Sequence, residues 1–173
     1  ILNADGSESG ACGNATRCVA QLIGRNGEAV TIETRAGVLR ADLRADGQVS
    51  VDMGEPRFGW ADIPLSREFP DTSAIGFEKR LPDGRLLSGP SVVNVGNPHC
   101  IFWVEDAGSY DLGAFGRELE HHPLFPERAN ISLAEVRSQD KIAVRVWERG
   151  VGLTRACGTA ACAVAVSAVR TGR

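Results

Sequence analysis

The stretch Ala11-Cys-Gly-Asn-Ala15 has a near copy at Ala156-Cys-Gly-Thr-Ala160, in which four of the five residues are identical. After each copy, apolar residues recur at the spacing of one helix face: Ala15, Cys18, Val19, Leu22 and Ile23 after the first, and Ala161, Val164, Ala165, Ala168 and Val169 after the second. Gly24 and Gly172 then provide the usual helix stops. The repeat therefore predicts two related helices, each beginning directly after a Cys-Gly pair, in a pseudo-symmetric chain.

Between and after these helices the pattern changes to alternating apolar and polar residues, which is typical of strands. Residues 29–35, 37–44 and 48–54 are expected to form an antiparallel meander, and later strands are expected at 90–96, 100–106 and 141–148. A short amphipathic helix is predicted at 110–122, and the second Cys-Gly helix should be buried on most sides. The Pro- and Gly-rich segment 53–64 is interpreted as the seam between two lobes of an α+β fold.

Composition and charge narrow the class of function. The 173 residues are 43% hydrophobic and 24% charged, as in ordinary globular proteins. The net charge is -3 with Lys and Arg scattered, which argues against a nucleic-acid partner. No apolar run approaches the length of a membrane helix, so we expect no membrane partner and a cytoplasmic location. A small molecule is the favoured partner.

The residues needed for common cofactors and metals do not occur in the required patterns. The two lysines, Lys79 and Lys141, are not next to a phosphate-binding loop, and no G-x-G-x-x-G follows a strand. The three histidines, His99, His121 and His122, do not stand at zinc-ligand spacing from the cysteines. We therefore predict a reaction that uses protein groups alone, with no cofactor and no metal.

The five cysteines fall into two groups. Their odd number and the absence of a Cys-x-x-Cys pair argue against a disulfide framework. Cys18, Cys100 and Cys162 lie within helix or strand patterns and are interpreted as small, buried apolar residues. Cys12 and Cys157 instead stand at predicted helix N-termini, where the helix dipole and unpaired N–H groups make a thiol easier to ionise.

Two such thiols suggest a specific reaction. If the lobes face each other, Cys12 and Cys157 lie on opposite sides of a bound carboxylate, and Gly13 and Gly158 let the ligand approach the helix amides. One thiolate could remove a proton from the adjacent carbon while the other thiol returns one to the opposite face. The pattern therefore favours two-base racemisation or epimerisation.

Four stretches in this order resemble the signature stretches of the diaminopimelate epimerase family: residues 3–18, 95–100, 121–131 and 148–163. The resemblance implies a PLP-independent epimerase of lysine biosynthesis with half-barrel lobes, each around a central helix, a cleft site between them, and a homodimer. It makes Cys12 and Cys157 the acid and base, interconverting LL- and meso-diaminopimelate. Gly13, Asn14, Gly158 and Thr159 would bind the reacting carboxylate through main-chain amides.

The resemblance also implies further site residues. Asn3, Asn97, Asn130, Glu148 and Arg149 would contact the substrate, which carries two carboxylates and two ammonium groups. Arg149 can bind the distal carboxylate in a bidentate way. His99 would lie beside Cys12 and Glu148 beside Cys157, each able to hold or take the thiol proton.

The resemblance further predicts lobe limits and leaves two alternatives open. Residues 1–57 are expected to form an N-terminal lobe without its first strands, and residues 58–173 a C-terminal lobe without its last strands. One alternative is a proline or hydroxyproline racemase of the same fold, although proline offers no second carboxylate to Arg149. The other is a thiol-disulfide switch in which Cys12 and Cys157 cross-link on oxidation.

Overall fold

The chain folds into two compact units, Ile1–Glu55 and Pro56–Arg173. The computed structural model describes Gly6 and residues 12–25, 27–34 and 37–173. The first unit contains α1 (Gly13–Ile23), β1 (Ala29–Thr34), β2 (Gly37–Leu43) and β3 (Val49–Asp52). The lobe limits 1–57 and 58–173, the strands absent from them, and the cleft between the lobes stay predictions.

The elements of the second unit, in chain order, are β4 (Glu78–Arg80), β5 (Leu86–Ser88), β6 (Ser91–Asn94), β7 (Pro98–Trp103), α2 (Leu112–Glu120), β8 (Asn130–Ser138), β9 (Lys141–Glu148), β10 (Gly152–Thr154) and α3 (Gly158–Thr171). A short 3-10 helix, Ala107–Ser109, precedes α2. The predicted α+β class is confirmed, since strand-rich sheets dominate and helices are few. Among the described residues, no helix combines the length and the apolarity needed to cross a membrane.

In the first unit, the predicted antiparallel meander is confirmed. Strand β2 lies between β1 and β3, with Ile32 opposite Leu39 and Ala41 opposite Val51. Ala20 of α1 packs with Ala41 and Leu43 to form the small core of this unit. Along β2, buried and exposed residues alternate as the sequence pattern predicted, with Leu39, Ala41 and Leu43 buried.

Helix α1 begins where predicted, but its predicted buried face is wrong. Its buried residues are Gly13, Thr16 and Ala20, whereas Cys18 is exposed and Leu22 is 84% exposed. Two residues along an α-helix correspond to about 200°, so Cys18 lies opposite Thr16. Small side chains face the sheet because α1 and the sheet approach each other closely. The larger apolar side chains lie on the opposite side of the helix.

In the second unit, five strands form one sheet in the order β10-β9-β8-β7-β6. Strands β7 and β8 are parallel and are joined through α2, while the other neighbours are antiparallel. Phe102 and Leu133 pack on the face that carries α2, and Ile101 and Ala134 pack on the face that carries α3. Because both faces are covered, β6 and most of β7 and β8 are buried without alternation.

Helix α3 also begins where predicted, but it is buried on one side only. Thr159, Ala163 and Val164 are buried, whereas Cys162 is exposed and Val169 is 83% exposed. The expectation of burial on most sides, and of a buried Cys162, is therefore wrong, because one face alone packs on the sheet. The interpretation of Cys100 as a buried apolar residue is confirmed, since it is fully buried and burial raises the pKa of its thiol.

Gly116 allows α2 to pack directly on the indole ring of Trp147. A Cβ atom at this position would lie 2.6 Å from Trp147 Cδ2 and 2.7 Å from Cγ, which is closer than van der Waals contact permits. The contact also includes Cε3 at 2.7 Å, so three atoms of the ring would have to move. The approach of α2 to β9 therefore depends on a glycine.

We expect Gly116→Ala to lower the free energy of unfolding by about 1–3 kcal/mol because of overpacking, although alanine favours helices by about 1 kcal/mol. Urea denaturation followed by tryptophan fluorescence measures the change. Gly76→Ala is the matched control, since no atom of the described residues lies within 4 Å of its added Cβ. Equal midpoints for the two variants would show that the helix has room for a side chain.

Candidate active site

Cys12 is the N-cap of α1 in an extended conformation, with φ -142° and ψ 102°. Its carbonyl accepts hydrogen bonds from both Thr16 N and Thr16 Oγ1 at 2.9 Å. Gly13 is buried, and the exposed Asn14 accepts a hydrogen bond from Arg17 through its side chain. The other site residue predicted in this unit, Asn3, lies outside the described residues.

Cys157 is the N-cap of α3 in nearly the same conformation, with φ -136° and ψ 117°. The Cys12 side chain forms no hydrogen bond that caps its helix, whereas the Ala160 N–H in the first turn of α3 lies close enough to the Cys157 thiol to lower its pKa. The first N–H groups of a helix have no partner within the helix, so each thiol stands beside donors that an anion can use. The repeat seen in the sequence thus corresponds to two equivalent helix starts.

The surroundings of Cys157 affect its thiol in opposite directions, with a net rise of the pKa. Burial is the largest cause and raises the pKa, while hydrogen bonds from Thr159 and from the Ala160 N–H lower it. The charge of Glu148 and a hydrogen bond with its carboxyl group raise it further. The expectation that this thiol ionises more easily than a free one is therefore wrong, because burial outweighs the helix end.

Glu148 lies beside Cys157, as the resemblance implied. Successive strand residues point to opposite faces, so Trp147 packs towards α2 and Glu148 points to the face that carries α3. Thr154 Oγ1, on the paired strand β10, donates to Glu148 Oε1 at 2.5 Å. Thr154 was not predicted from the sequence. The glycines at positions 150 and 152 indicate a hairpin over 148–154, which would have placed Thr154 beside Glu148.

Glu120, a buried carboxylate at the end of α2, holds the turn that follows Glu148. Its Oε2 accepts from Trp147 Nε1 at 2.7 Å, and its Oε1 accepts from Gly150 N at 2.9 Å. The residue is only 3% exposed. Sequence reasoning also missed Glu120, because a glutamate in an amphipathic helix ordinarily faces solvent.

Asn130 and Arg149 are connected within the scaffold. Asn130 donates from Nδ2 to the Pro98 carbonyl at 2.9 Å and accepts from the Arg149 backbone N–H at 3.0 Å. The Arg149 guanidinium donates to the Glu127 carbonyl at 3.0 Å. Asn130 therefore connects the start of β7 to the turn after β9, and each end of its amide retains further hydrogen-bonding capacity.

His99 is fully buried, and burial together with the charge of Arg149 lowers its pKa to about 3. Its Nε2 lies 2.9 Å from Asn97 Oδ1, and because that oxygen can only accept, Nε2 carries the ring proton. Its buried Nδ1 has no hydrogen-bond partner among the described residues. The ring is therefore neutral at pH 7, and its low pKa makes it a weak base, which argues against its taking a thiol proton.

The second unit thus brings most of the predicted site residues into connected contacts: Asn97, His99, Asn130, Glu148, Arg149, Cys157 and Thr159. Gly158 begins α3 between two of them. Cys12, Gly13 and Asn14 belong to the other unit. The pairing of His99 with Cys12 stays a prediction. The ring of His99 is hydrogen-bonded to Asn97, whose amide contacts Thr159, and Thr159 in turn contacts Cys157.

These features define a class of protein: an α+β protein with a cysteine at the N-cap of two helices and a partly buried thiol beside a carboxylate. A protein-family model described as diaminopimelate epimerase matches residues 1–59 and 91–173. The chain belongs to the diaminopimelate epimerase family, which confirms the resemblance read from the sequence.

Curated relatives support this assignment. The chain is 60% identical to the diaminopimelate epimerase of Brucella anthropi and 56% identical to those of Brucella canis and Brucella suis, in each case over its whole length. It spans 58–59% of the length of these relatives. The structure is also similar to a Bacillus anthracis phenazine biosynthesis protein of the PhzF family, with a TM-score of 0.54 and 19% identity over 95% of this chain and 58% of that one. That likeness concerns the fold.

Glu120→Gln should lower the free energy of unfolding by about 1–3 kcal/mol, because Trp147 and Gly150 donate to different carboxylate oxygens and the NH2 group that replaces one of them cannot accept. Urea denaturation monitored by tryptophan fluorescence measures this loss. Glu118→Gln, on the same helix, removes an exposed ion pair with Lys79 and should cost less than about 1 kcal/mol. A loss for Glu120→Gln no larger than this control would contradict the assigned role.

His99 should make the second unit sensitive to acid. Its folded pKa of about 3 lies below the usual value of about 6.5, so the unfolded chain binds the proton first as the pH falls. The stability present above about pH 6.5 is then lost at about 1.4 kcal/mol per pH unit.

His99→Gln should therefore flatten the dependence of unfolding free energy on pH between about 6.5 and 4.5, relative to the parent chain. Urea titrations at several pH values measure the slopes. The same substitution at His121, which is exposed, is the control against which the slope of His99→Gln is compared. An unaltered slope for His99→Gln would mean that His99 is not held neutral in the folded protein.

Proposed function

We propose that the protein interconverts LL- and meso-diaminopimelate by a cofactor-independent, two-base reaction in which Cys12 and Cys157 are the acid and base. The observation that carries the proposal is the matched pair of extended cysteine caps at the starts of α1 and α3. Membership in the diaminopimelate epimerase family supports the reaction and the substrate.

The reaction moves one proton off the α-carbon and another onto its opposite face. A thiolate at one cap takes the α-proton, and the thiol at the other cap gives its own proton to the carbanion, which inverts the centre. The roles of Cys12 and Cys157 exchange in the reverse direction. Each turnover thus leaves one thiol and one thiolate in exchanged positions, and no redox partner is consumed.

The carboxylate of the reacting centre binds to the main-chain N–H groups at the two helix starts, at Gly13, Asn14, Gly158 and Thr159. These donors and the helix dipoles stabilise the negative charge that develops on this carboxylate as the proton leaves. At the start of α1 the Cys12 side chain does not occupy these donors, which supports this role.

The distal end of the substrate is the part that selects diaminopimelate. Arg149 pairs with the distal carboxylate, while Asn3, Asn97, Asn130 and Glu148 bind the ammonium groups and remaining oxygens. The scaffold supports this assignment for Arg149, because Asn130 and Glu127 fix its backbone and its guanidinium. Glu148 also exchanges a hydrogen bond with the Cys157 thiol.

The proposal extends to the protein's context. The site lies in a cleft between the two lobes, the protein acts in the cytoplasm on the route to lysine, and two copies form a homodimer. The substrate is a small molecule, and no nucleic acid or membrane takes part. These statements follow the family resemblance, and light scattering of the purified protein checks the dimer directly.

The test is exchange of the α-proton in heavy water, followed by NMR and chiral chromatography. With either stereoisomer of diaminopimelate, deuterium should enter the α-position together with inversion. Cys12→Ala and Cys157→Ala should each lower the rate of inversion by at least about 100-fold, since each removes an acid-base group. Cys18→Ala is the matched control and should retain the parent rate, because Cys18 is exposed on α1.

Two results would overturn the proposal. Deuterium that enters proline but not diaminopimelate would identify a proline racemase of the same fold. Inversion that survives in both Cys12→Ala and Cys157→Ala would show that the thiols are not the acid and base. An oxidised form in which the two cysteines cross-link would decide nothing by itself, since an epimerase with facing thiols can form it.

A further inference from the structure

We propose that the side-chain hydroxyl of Thr159 is a positioning group for Cys157, and that a chain of hydrogen bonds from His99 through Asn97 directs its proton onto the Cys157 sulfur. This inference rests on the proposed function of Cys157 as an acid and base. It concerns the hydroxyl of Thr159, whereas the family resemblance implies a role for its main-chain amide only.

The hydroxyl lies between two partners. Thr159 Oγ1 is 3.3 Å from Cys157 Sγ, within the range of a hydrogen bond to sulfur, and 3.4 Å from Asn97 Nδ2. Asn97 Nδ2 can only donate, so it occupies a lone pair of the hydroxyl oxygen. The hydroxyl hydrogen is then free to point at the sulfur, where it stabilises a thiolate.

The orientation of Asn97 decides this direction, and His99 fixes it. The Nε2 of His99 donates to Asn97 Oδ1 at 2.9 Å, so the amide presents its nitrogen to Thr159. His99 has no exposed surface, and the opposite tautomer would leave a buried N–H at Nδ1 without a partner among the described residues, so the ring proton stays on Nε2. The chain therefore begins at a group that cannot reorient towards water.

Burial makes the hydroxyl difficult to replace. Thr159 is 3% exposed, so solvent has little access to the space between its oxygen and the sulfur. Buried hydrogen bonds to a charged group are stronger than those between neutral groups. The charged group facing the sulfur from β9 is Glu148, which favours the thiol, so Thr159 opposes its effect.

The test measures the thiol directly and needs no substrate. The rate of iodoacetamide alkylation at Cys157 is followed against pH by peptide mass spectrometry, in a Cys162→Ala background because Cys162 is exposed and lies on the same tryptic peptide. Thr159→Val keeps the branched shape without the hydroxyl, and Thr159→Ser restores the hydroxyl. Both variants retain the main-chain amide.

Thr159→Val should lower the alkylation rate at about pH 8 by roughly 10-fold and move the midpoint of the profile to higher pH, because the thiolate loses a charge-assisted hydrogen bond. Thr159→Ser should stay close to the parent profile. Asn97→Leu should shift the midpoint in the same direction, and combining it with Thr159→Val should add little, since both act through one chain.

The proposal is wrong if Thr159→Val and Thr159→Ser give the same profile, or if the midpoint of Thr159→Val moves to lower pH. The latter result would mean that the hydroxyl accepts from the thiol instead of donating to the thiolate. Failure of the proposed function is distinguishable, since it appears as absent α-proton exchange while the alkylation shift remains. The converse, exchange with no shift, overturns this inference alone.

Discussion

The start of α3 at Cys157 is the constraint on which the described half of the site depends. Gly158 begins the helix directly after the extended cysteine, so the thiol stands beside the first turn and the Thr159 side chain lies 3.3 Å from the sulfur. Small residues in the first turns, Ala160 and Ala163, let the helix lie close to the sheet. Moving this start by one residue would rotate the thiol by about 100° away from Glu148 and Thr159.

The parallel pairing of β7 with β8 supplies the groups that this helix start meets. It places His99 beside Asn130, and the Asn130 amide then joins the Pro98 carbonyl to the Arg149 backbone. A parallel pair requires a long crossover, and α2 provides it. Glu120, at the end of that crossover, fixes the turn after Glu148. Helix α2, which links the two parallel strands, therefore also orients the β9–β10 hairpin that carries Glu148.

The local patterns in the sequence were sufficient to predict the helices and strands of the first unit and the starts of both Cys-Gly helices. They were not sufficient to predict which face of each helix is buried. Alternation in residues 29–54 predicts the meander, and the Cys-Gly pairs predict both helix starts, because these signals are short-range. The buried faces of α1 and α3 were misjudged because periodicity marks apolar residues, whereas close packing selected Thr16 and Ala20. The resemblance implied Glu148 and His99, but the burial that lowers the His99 pKa depends on distant strands, as does the role of Glu120.

Opposed influences on Cys157 suit the proposed chemistry better than a strongly acidic thiol would. In a two-base reaction the same sulfur must take a proton in one direction and give one in the other. Burial and Glu148 favour the thiol, while Thr159 and the Ala160 N–H favour the thiolate. A bound carboxylate adds negative charge and so favours the thiol, and removal of the α-proton needs the thiolate. Partners of both kinds therefore act on this sulfur, one set favouring each of the two states that it takes in the proposed reaction.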